Sequence, residues 1–349
     1  MRVLHVLNHT GRLNGNVHAA VDLACAQSKM GNDVTVASGG GHFDREFAAN
    51  GVQTILVSMR RRPLDMIAAV QALSKLIKQR RFHVVHAHME TSAVLAWPAC
   101  ALTRTPLVTT VHNEFERSAI LMGIGRRVIA VSAAVAESME RRGLPASRIR
   151  TVLNGTIGTA RHPQEPSQPQ PLGDGSILFV GGLHPRKGLP TLLHAFSIVK
   201  TAVPCATLHV VGEGPHEAFY QALAAKSDHA GSIIFYGGQD DPRPWFLGAD
   251  IFSMPSLSEP AGLVLSEASE AGCAIVASNV GGIPEMLDGG RAGVLVPPQQ
   301  PEALAAALIK LLTDPAALAR GKQLALANAS RLSLERVVRQ TNEVYQECF

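Results

Sequence analysis

Residues 251–272 read Ile251-Phe-Ser-Met254-Pro255-Ser-Leu-Ser-Glu259-Pro260-Ala261-Gly262-Leu263-Val264-Leu-Ser-Glu267-Ala-Ser-Glu-Ala271-Gly272. Ile251–Met254 is a short apolar run of the kind left by a strand buried on both faces. A turn with two prolines follows, and a helical pattern over Leu263–Ala271 opens near Gly262. Backbone N–H groups at a helix start lack intrahelical partners and sit at the positive end of the helix dipole, which makes this start an anion site. Glu259 falls in the loop before the helix and Glu267 is expected more than a turn inside it. Seven residues separate the two carboxylates.

The same strand–turn–helix grammar recurs on both sides of this stretch. Phe179-Val-Gly-Gly-Leu-His-Pro-Arg186-Lys187-Gly188 joins a strand to a helix through glycines and two adjacent cations. Val211-Gly-Glu-Gly214-Pro and Asn279-Val-Gly-Gly282-Ile-Pro-Glu close two further strands. Glycine turns at consecutive strand ends point to backbone approaching a ligand. Strands are expected at Ile177–Val180, Thr207–Val211, Ile233–Tyr236, Ile251–Met254, Ala274–Ala277 and Gly293–Val296. Helices are expected at Pro190–Thr201, Pro215–Lys226, Leu263–Ala271 and Glu302–Leu312.

Upstream, residues 158–175 are rich in Pro, Gln and Gly without periodicity and read as a linker. Before it lies another alternating series. Strand-like runs occur at Val3–Leu7, Asp33–Ala37, Thr54–Val57, His83–Ala87, Leu107–Val111, Val128–Val131 and Thr151–Leu153. Helical runs occur at Asn16–Met30, Leu64–Gln79 and Ser132–Arg142. A length of 349 residues exceeds what one core usually supports. The expected organisation is therefore α/β throughout, with two Rossmann-like, doubly wound domains at 1–157 and 176–333. A last helix at 334–349 packs back towards the N-terminal domain. Doubly wound sheets bind ligands beyond the carboxyl ends of their strands, which predicts a ligand cleft between the two domains.

Composition narrows the function. The chain is 46% hydrophobic and 17% charged, as in a globular protein with substantial cores. Its start lacks a basic leader with a sustained apolar region, and no uncharged run spans a bilayer; Thr91–Thr103 is too short and contains Pro98. Five cysteines without paired spacing fit reduced thiols and a cytoplasmic location. The net charge of +4 conceals an asymmetry, because residues 1–155 carry nine more basic than acidic residues and the remainder five fewer. The excess is concentrated at Arg60-Arg61-Arg62 and Lys78-Gln79-Arg80-Arg81, with pairs at Arg126-Arg127 and Arg141-Arg142. Such a half suits an anionic membrane surface or a phosphorylated acceptor. Nucleic acid fits poorly, since no aromatic residues interleave with these clusters.

Two carboxylates flanking a phosphate-binding helix start suit a ligand with hydroxyls on both sides of a diphosphate. A nucleotide sugar has that shape, and Arg186 with Lys187 would neutralise a diphosphate leaving group. Alone, the two glutamates read as ordinary surface residues near a helix start; the four turns in order give them meaning.

Together these residues resemble family 4 of the retaining glycosyltransferases, across almost the whole chain. The resemblance implies the GT-B fold, in which two Rossmann-like domains face each other across a cleft. It implies retaining transfer of a hexosyl unit from a UDP-sugar, or alternatively a GDP-sugar, to a glycan or lipid-linked acceptor, in cell-surface polysaccharide or glycolipid synthesis. It requires no metal and no cofactor beyond the nucleotide-sugar donor. It assigns Arg186 and Lys187 to the donor diphosphate, Glu267 to the ribose hydroxyls, and Glu259 to the hexose and to positive charge developing on it. Backbone amides around Gly262, Leu263 and Val264 would contact phosphates and hexose, and Gly214 would line the same donor site. In the N-terminal domain Gly15 ends the Gly11-Arg-Leu-Asn-Gly15 loop near the diphosphate. His112 of Thr110-Val-His112-Asn-Glu would lie near the sugar, donating to the donor or accepting from the backbone. Catalytic roles thus fall to Glu259, His112, Arg186 and Lys187. Two positions depart from the family: Ala261 replaces an aromatic residue and leaves the donor sugar open, and Asn14-Gly15 replaces a double glycine.

Other readings are weaker. Ala261 and Asn14 admit a non-catalytic nucleotide-sugar sensor or partner subunit, and a GT-B epimerase or phosphorylase ranks below that. His86-Ala-His88 has metal-ligand chemistry but no nearby third ligand in the sequence, so a structural or acceptor role is expected. Asp240-Asp241 resembles the acidic metal motif of the other main transferase fold, yet it follows Tyr236-Gly-Gly in a loop. Gly11 and Gly15 with Ala19 do not make the triple-glycine nicotinamide turn.

Overall fold

The computed structural model describes residues 1–12, 14–161 and 167–349. Leu13 of the Gly11–Gly15 loop and residues 162–166 of the expected linker lie outside the described residues. The chain forms two compact units, one made of Met1–Pro163 with Ser333–Phe349 and the other of Gln164–Leu332.

The first unit is built on seven parallel strands: β1 (Arg2–Val6), β2 (Asp33–Ser38), β3 (Gln53–Leu56), β4 (Val84–Ala87), β5 (Leu107–Val111), β6 (Arg127–Ala130) and β7 (Ile149–Thr151). They are ordered β3-β2-β1-β4-β5-β6-β7. Helices α1 (Gly15–Lys29), α2 (Asp44–Ala49), α3 (Pro63–Arg80), α4 (Glu90–Thr103) and α5 (Ala133–Arg141) alternate with them. The central strands β4 and β5 are buried at every residue, so their polar members His86, Thr109 and Thr110 lie inside the fold with the apolar ones. Asn14 caps α1, its side-chain oxygen accepting from the Asn16 amide at 3.0 Å. The asparagine that departs from the family's double glycine thus satisfies a helix start.

The terminal helix Leu334–Gln346 belongs to this first unit. Its Val338 and Tyr345 are fully buried in one cluster with Val3, Val84, Val108 and Ile129. Glu347, just beyond it, pairs with Arg127 at 2.8 Å and Arg150 at 2.7 Å. Sequence periodicity shows that such a helix is amphipathic; the individual residues that its apolar face meets are set by the fold.

The second unit has six parallel strands: β8 (Ser176–Val180), β9 (Thr207–Val211), β10 (Ile233–Phe235), β11 (Ile251–Met254), β12 (Ala274–Ser278) and β13 (Val294–Val296). Their order is β10-β9-β8-β11-β12-β13. Its helices are α6 (Leu189–Ala202), α7 (Glu217–Ala225), α8 (Arg243–Gly248), α9 (Val264–Ala271), α10 (Ile283–Met286), α11 (Pro301–Thr313) and α12 (Pro315–Asn328); the terminal helix of the first unit is α13. Phe196, Tyr220, Ile251 and Leu308 are among the core residues of the second unit.

Both sheets are doubly wound: the chain steps outward in one direction from β1 or β8, then returns to the other side through β4 or β11. The switch point therefore lies between β1 and β4 in one unit and between β8 and β11 in the other, and these are the places where such sheets receive ligands. Among the described residues, no helix is long and apolar enough to cross a membrane.

Candidate active site

In the second unit the switch point opens between the ends of β8 and β11. After β8 the chain makes one short turn at Pro185–Lys187, passes Gly188 in the left-handed region (φ 70°) and enters α6. After β11 it runs through Pro255–Gly262 into α9. The two segments are joined by the Leu257 amide, which donates to the Arg186 carbonyl at 2.8 Å. A Cβ on Gly188 would lie 1.9 Å from the Pro255 carbonyl oxygen, so only glycine admits this approach.

A short polar contact ties the two expected donor motifs together. Lys187 Nζ donates to Glu259 Oε2 at 2.5 Å, with the side chains 18% and 8% exposed. An ammonium–carboxylate bond this sheltered is charge-assisted and poorly screened. The backbone of Glu259 is fixed from the other side as well, its carbonyl accepting from the Gly282 amide at 3.0 Å. Gly281 stands in the left-handed region (φ 54°), and a Cβ there would fall 2.0 Å from the same carbonyl oxygen.

These distances revise the reading of the glycine turns. Gly188 and Gly281 admit other backbone, and so do Gly212 and Gly214. A Cβ on Gly212 would meet the Gly181 carbonyl oxygen at 2.0 Å, and one on Gly214 would meet the Leu183 backbone at 2.7 Å. Loop-on-loop packing is thus the observed cause of glycine at these strand ends. The consequence for a site is indirect: the turns lock one another and hold the loop bearing Glu259.

The helix start also differs slightly from expectation. Gly262 is buried with φ 81°, Leu263 caps, and α9 begins at Val264, so Glu267 stands in the first turn rather than deeper. That brings its carboxylate nearer the positive helix end. Glu267, Leu263 and Val264 are half-buried, as is Arg186. Ala261 is 2% exposed, its methyl enclosed by protein. Ser256, in the same turn as Glu259, is fully buried, and its hydroxyl has no hydrogen-bond partner among the described residues. Asp241 of the Asp240-Asp241 pair bonds Arg243 at 2.8 Å and so serves a local ion pair.

The first unit holds the other two expected residues, Gly15 and His112. Gly15 is exposed and is the first residue of α1. His112 follows β5 directly, and burial pushes its imidazole down to about 4, so the ring is neutral near pH 7. Its Nε2 is 3.1 Å from His88 Nδ1, whose ring in turn meets His5 of β1. Sequence reasoning left His86-Ala-His88 without a third partner; His5 supplies one, and a ring nitrogen from each of the three lies within 4.8 Å of the others. His5 was missed because its proximity depends on β1 lying beside β4 in the sheet, which local spacing does not reveal.

Comparison with known proteins fits this architecture. The profile described as Glycosyltransferase Family 4 matches residues 13–156, and that described as Glycosyl transferases group 1 matches residues 174–314. A glycogen synthase of Mycobacterium tuberculosis is 32% identical over 279 residues, 73% of this chain and 66% of that protein. A phosphatidyl-myo-inositol mannosyltransferase of Mycolicibacterium smegmatis is 30% identical over 71% of this chain and 66% of its own length. The chain thus spans about two thirds of the length of these curated relatives. Among solved structures, Anabaena HepE in complex with UDP-glucose superposes with a TM-score of 0.81 at 20% identity, covering 99% of each chain. WaaG, a glycosyltransferase involved in lipopolysaccharide biosynthesis, gives a TM-score of 0.76 at 18% identity over 98% of this chain and 99% of its own. With two parallel doubly wound units, and profile matches to both, this chain belongs to glycosyltransferase family 4 and has the GT-B fold.

Proposed function

We propose that the chain transfers a hexosyl unit from a nucleoside-diphosphate sugar, UDP-linked in preference to GDP-linked, to a glycan or lipid-linked acceptor with retention of anomeric configuration. The observation that carries this reading is the Lys187–Glu259 bond beside the α9 start at the β8/β11 switch point. The UDP-glucose complex of the HepE neighbour supports the choice of donor.

In this reading the donor diphosphate takes the cationic side of the site: Arg186, Lys187 and the backbone amides near Gly262–Val264. Glu267 receives the ribose hydroxyls. As the bond from the anomeric carbon to the diphosphate oxygen lengthens, positive charge grows on the sugar and negative charge on the leaving group. Lys187 bridges the two, sharing its ammonium between Glu259 and the phosphates. Fixed charges of this kind need no reorganisation at the moment of reaction. The acceptor oxygen attacks on the face the diphosphate leaves, and its proton passes to a phosphate oxygen. No enzyme nucleophile and no metal take part.

The first unit would hold the acceptor. Arg60, Arg61 and Arg62 are exposed ahead of α3, and Leu64 and Ile67 on its first turns are 81% and 56% exposed. Basic residues beside exposed apolar ones suit the surface of an anionic membrane and a lipid-linked acceptor.

The test is nucleoside-diphosphate release from a panel of UDP- and GDP-hexoses, with and without lipid-linked and glycan acceptors. Acceptor-dependent release from a UDP-hexose is expected. Binding of donors with no release under any acceptor would refute transfer and favour a sensor.

A further inference from the structure

The histidines of the first unit form a directed chain. Parallel register places His5 of β1 beside His86 of β4. Side chains two apart along a strand share a face, so His88 joins His86, and Thr110 of β5 and His112 just past it follow the same alternation. Helices α1 and α13 supply Gln27, Asn342 and Tyr345 to this face.

The bonds run in series. His5 Nε2 is 2.8 Å from Gln27 Oε1, His5 Nδ1 is 2.8 Å from His88 Nε2, and His88 Nδ1 is 3.1 Å from His112 Nε2. His86 stands beside the series, bonded to Tyr345 Oη and Thr110 Oγ1 at 2.6 Å each. Burial holds every one of these rings neutral, lowering His5 and His112 to about 4 and His86 and His88 well below their usual value. A neutral imidazole has one N–H and one lone pair, so fixing one end of the chain fixes each link.

Gln27 fixes that end. Its Nε2 donates to Asn342 Oδ1 at 3.1 Å, which turns its Oε1 towards His5. His5 must then donate from Nε2 and accept at Nδ1, His88 donates from Nε2 and accepts at Nδ1, and His112 donates from Nε2. The series ends on His112 Nδ1, a buried atom with no hydrogen-bond partner among the described residues.

We propose that Gln27, His5 and His88 are positioning residues that lock His112 in its Nε2–H tautomer, so that His112 Nδ1 presents a lone pair to a hydroxyl of a sugar bound by the first unit at the end of β5. The inference rests on the transferase reading above for its ligand, while the tautomer stands on the bonds alone. Locked in this way, the ring accepts from a sugar hydroxyl and does not donate to it. A sugar lacking that hydroxyl would leave the lone pair unmet.

A metal held by His5, His86 and His88 is the competing use of the cluster. It would need a lone pair from each ring directed at one point. The observed bonds spend the His5 nitrogens on Gln27 and His88, the His88 nitrogens on His5 and His112, and both His86 nitrogens on hydroxyls.

The experiment is long-range proton–nitrogen NMR on the full chain labelled with nitrogen-15 histidine, with His112→Gln for assignment. The expected spectrum shows His112 protonated at Nε2 and bare at Nδ1. His88→Phe, which keeps the ring volume but removes the acceptor, should give His112 mixed tautomers and lower kcat about fivefold to tenfold, the scale of one hydrogen bond. UDP affinity should not change. His88→Gln, whose amide oxygen can still accept from His112, should restore the wild-type signal. A wild-type His112 protonated at Nδ1, an unchanged His112 signal in His88→Phe, or stoichiometric zinc in the purified protein lost on His5→Gln would each overturn the proposal. The wild-type spectrum decides even if a variant fails to fold. A chain with this tautomer but no nucleotide release would sink the transferase reading and leave the relay intact.

Discussion

Lys187 and Glu259 stand 72 positions apart in the chain and 2.5 Å apart in the fold. Glu259 is only 7% exposed, so removing Lys187 would leave a carboxylate with little water and no cation. Losing one partner of a fully buried pair costs about 3–5 kcal/mol. With the lysine side chain 18% exposed, about 2 kcal/mol is the fitting scale for Lys187→Ala. Denaturant unfolding should show that loss in the transition of the second unit, and Lys187→Ala/Glu259→Gln should recover part of it. A stability equal to wild type in Lys187→Ala would show that the pair carries no load. At this scale the sequence was partly legible. It named both residues through their turns, and it could not show that they touch. Nor could it show that Gly281 exists to let the Glu259 carbonyl approach.

Among the elements, α3 joins two properties that compete in water. Its buried side carries Ala69, Leu73, Leu76 and Ile77, while Leu64 and Ile67 face outward near three arginines. Apolar exposure of this kind is offset if the surface meets lipid, and each nearby arginine adds about 1 kcal/mol on an anionic membrane. Co-sedimentation with phosphatidylserine vesicles is expected, and it should fall severalfold with Leu64→Gln/Ile67→Gln and with added salt. Binding indifferent to anionic lipid and to salt would remove the membrane surface from the account. Elements were read well where buried strands leave apolar runs, as at β5, β9 and β11. They were missed where the pattern is uniform or short. The α4 stretch is apolar on most faces and contains Pro98, so it read as an apolar run and not as a helix. The short helices α2 and α8 turn on six residues each, too few for a period to show.

Across the whole molecule, the alternation of strands and helices foretold two doubly wound sheets, and the family resemblance foretold their fold. The contacts that α13 makes there, Val338 and Tyr345 against Val3 and Val108, are long-range and carry no local signal beyond amphipathicity. That first unit is also where acid should act. Its buried histidines are neutral when folded and titrate near pH 6.5 when unfolded, so the unfolded chain binds more protons as pH falls below 6.5. Stability is therefore complete above that pH and declines towards pH 4. For fully buried His5 the loss is about 1.4 kcal/mol by pH 5.5, and the other three add in the same direction. Asp22, whose carboxyl burial pushes up against the pull of Arg161, opposes the trend. Thermal unfolding of the full chain from pH 7.5 to 5.5 should show a falling midpoint for the first unit. A flat midpoint would contradict the neutral histidine chain.

We propose that a nucleoside diphosphate binds the second unit between the Arg186-Lys187 turn and the α9 start. Calorimetric titration of UDP into the full chain and into Glu267→Ala measures it most directly. One site per chain is expected, weakened at least tenfold when the ribose loses its carboxylate partner. No heat from UDP or GDP, or equal affinity in the variant, would contradict it.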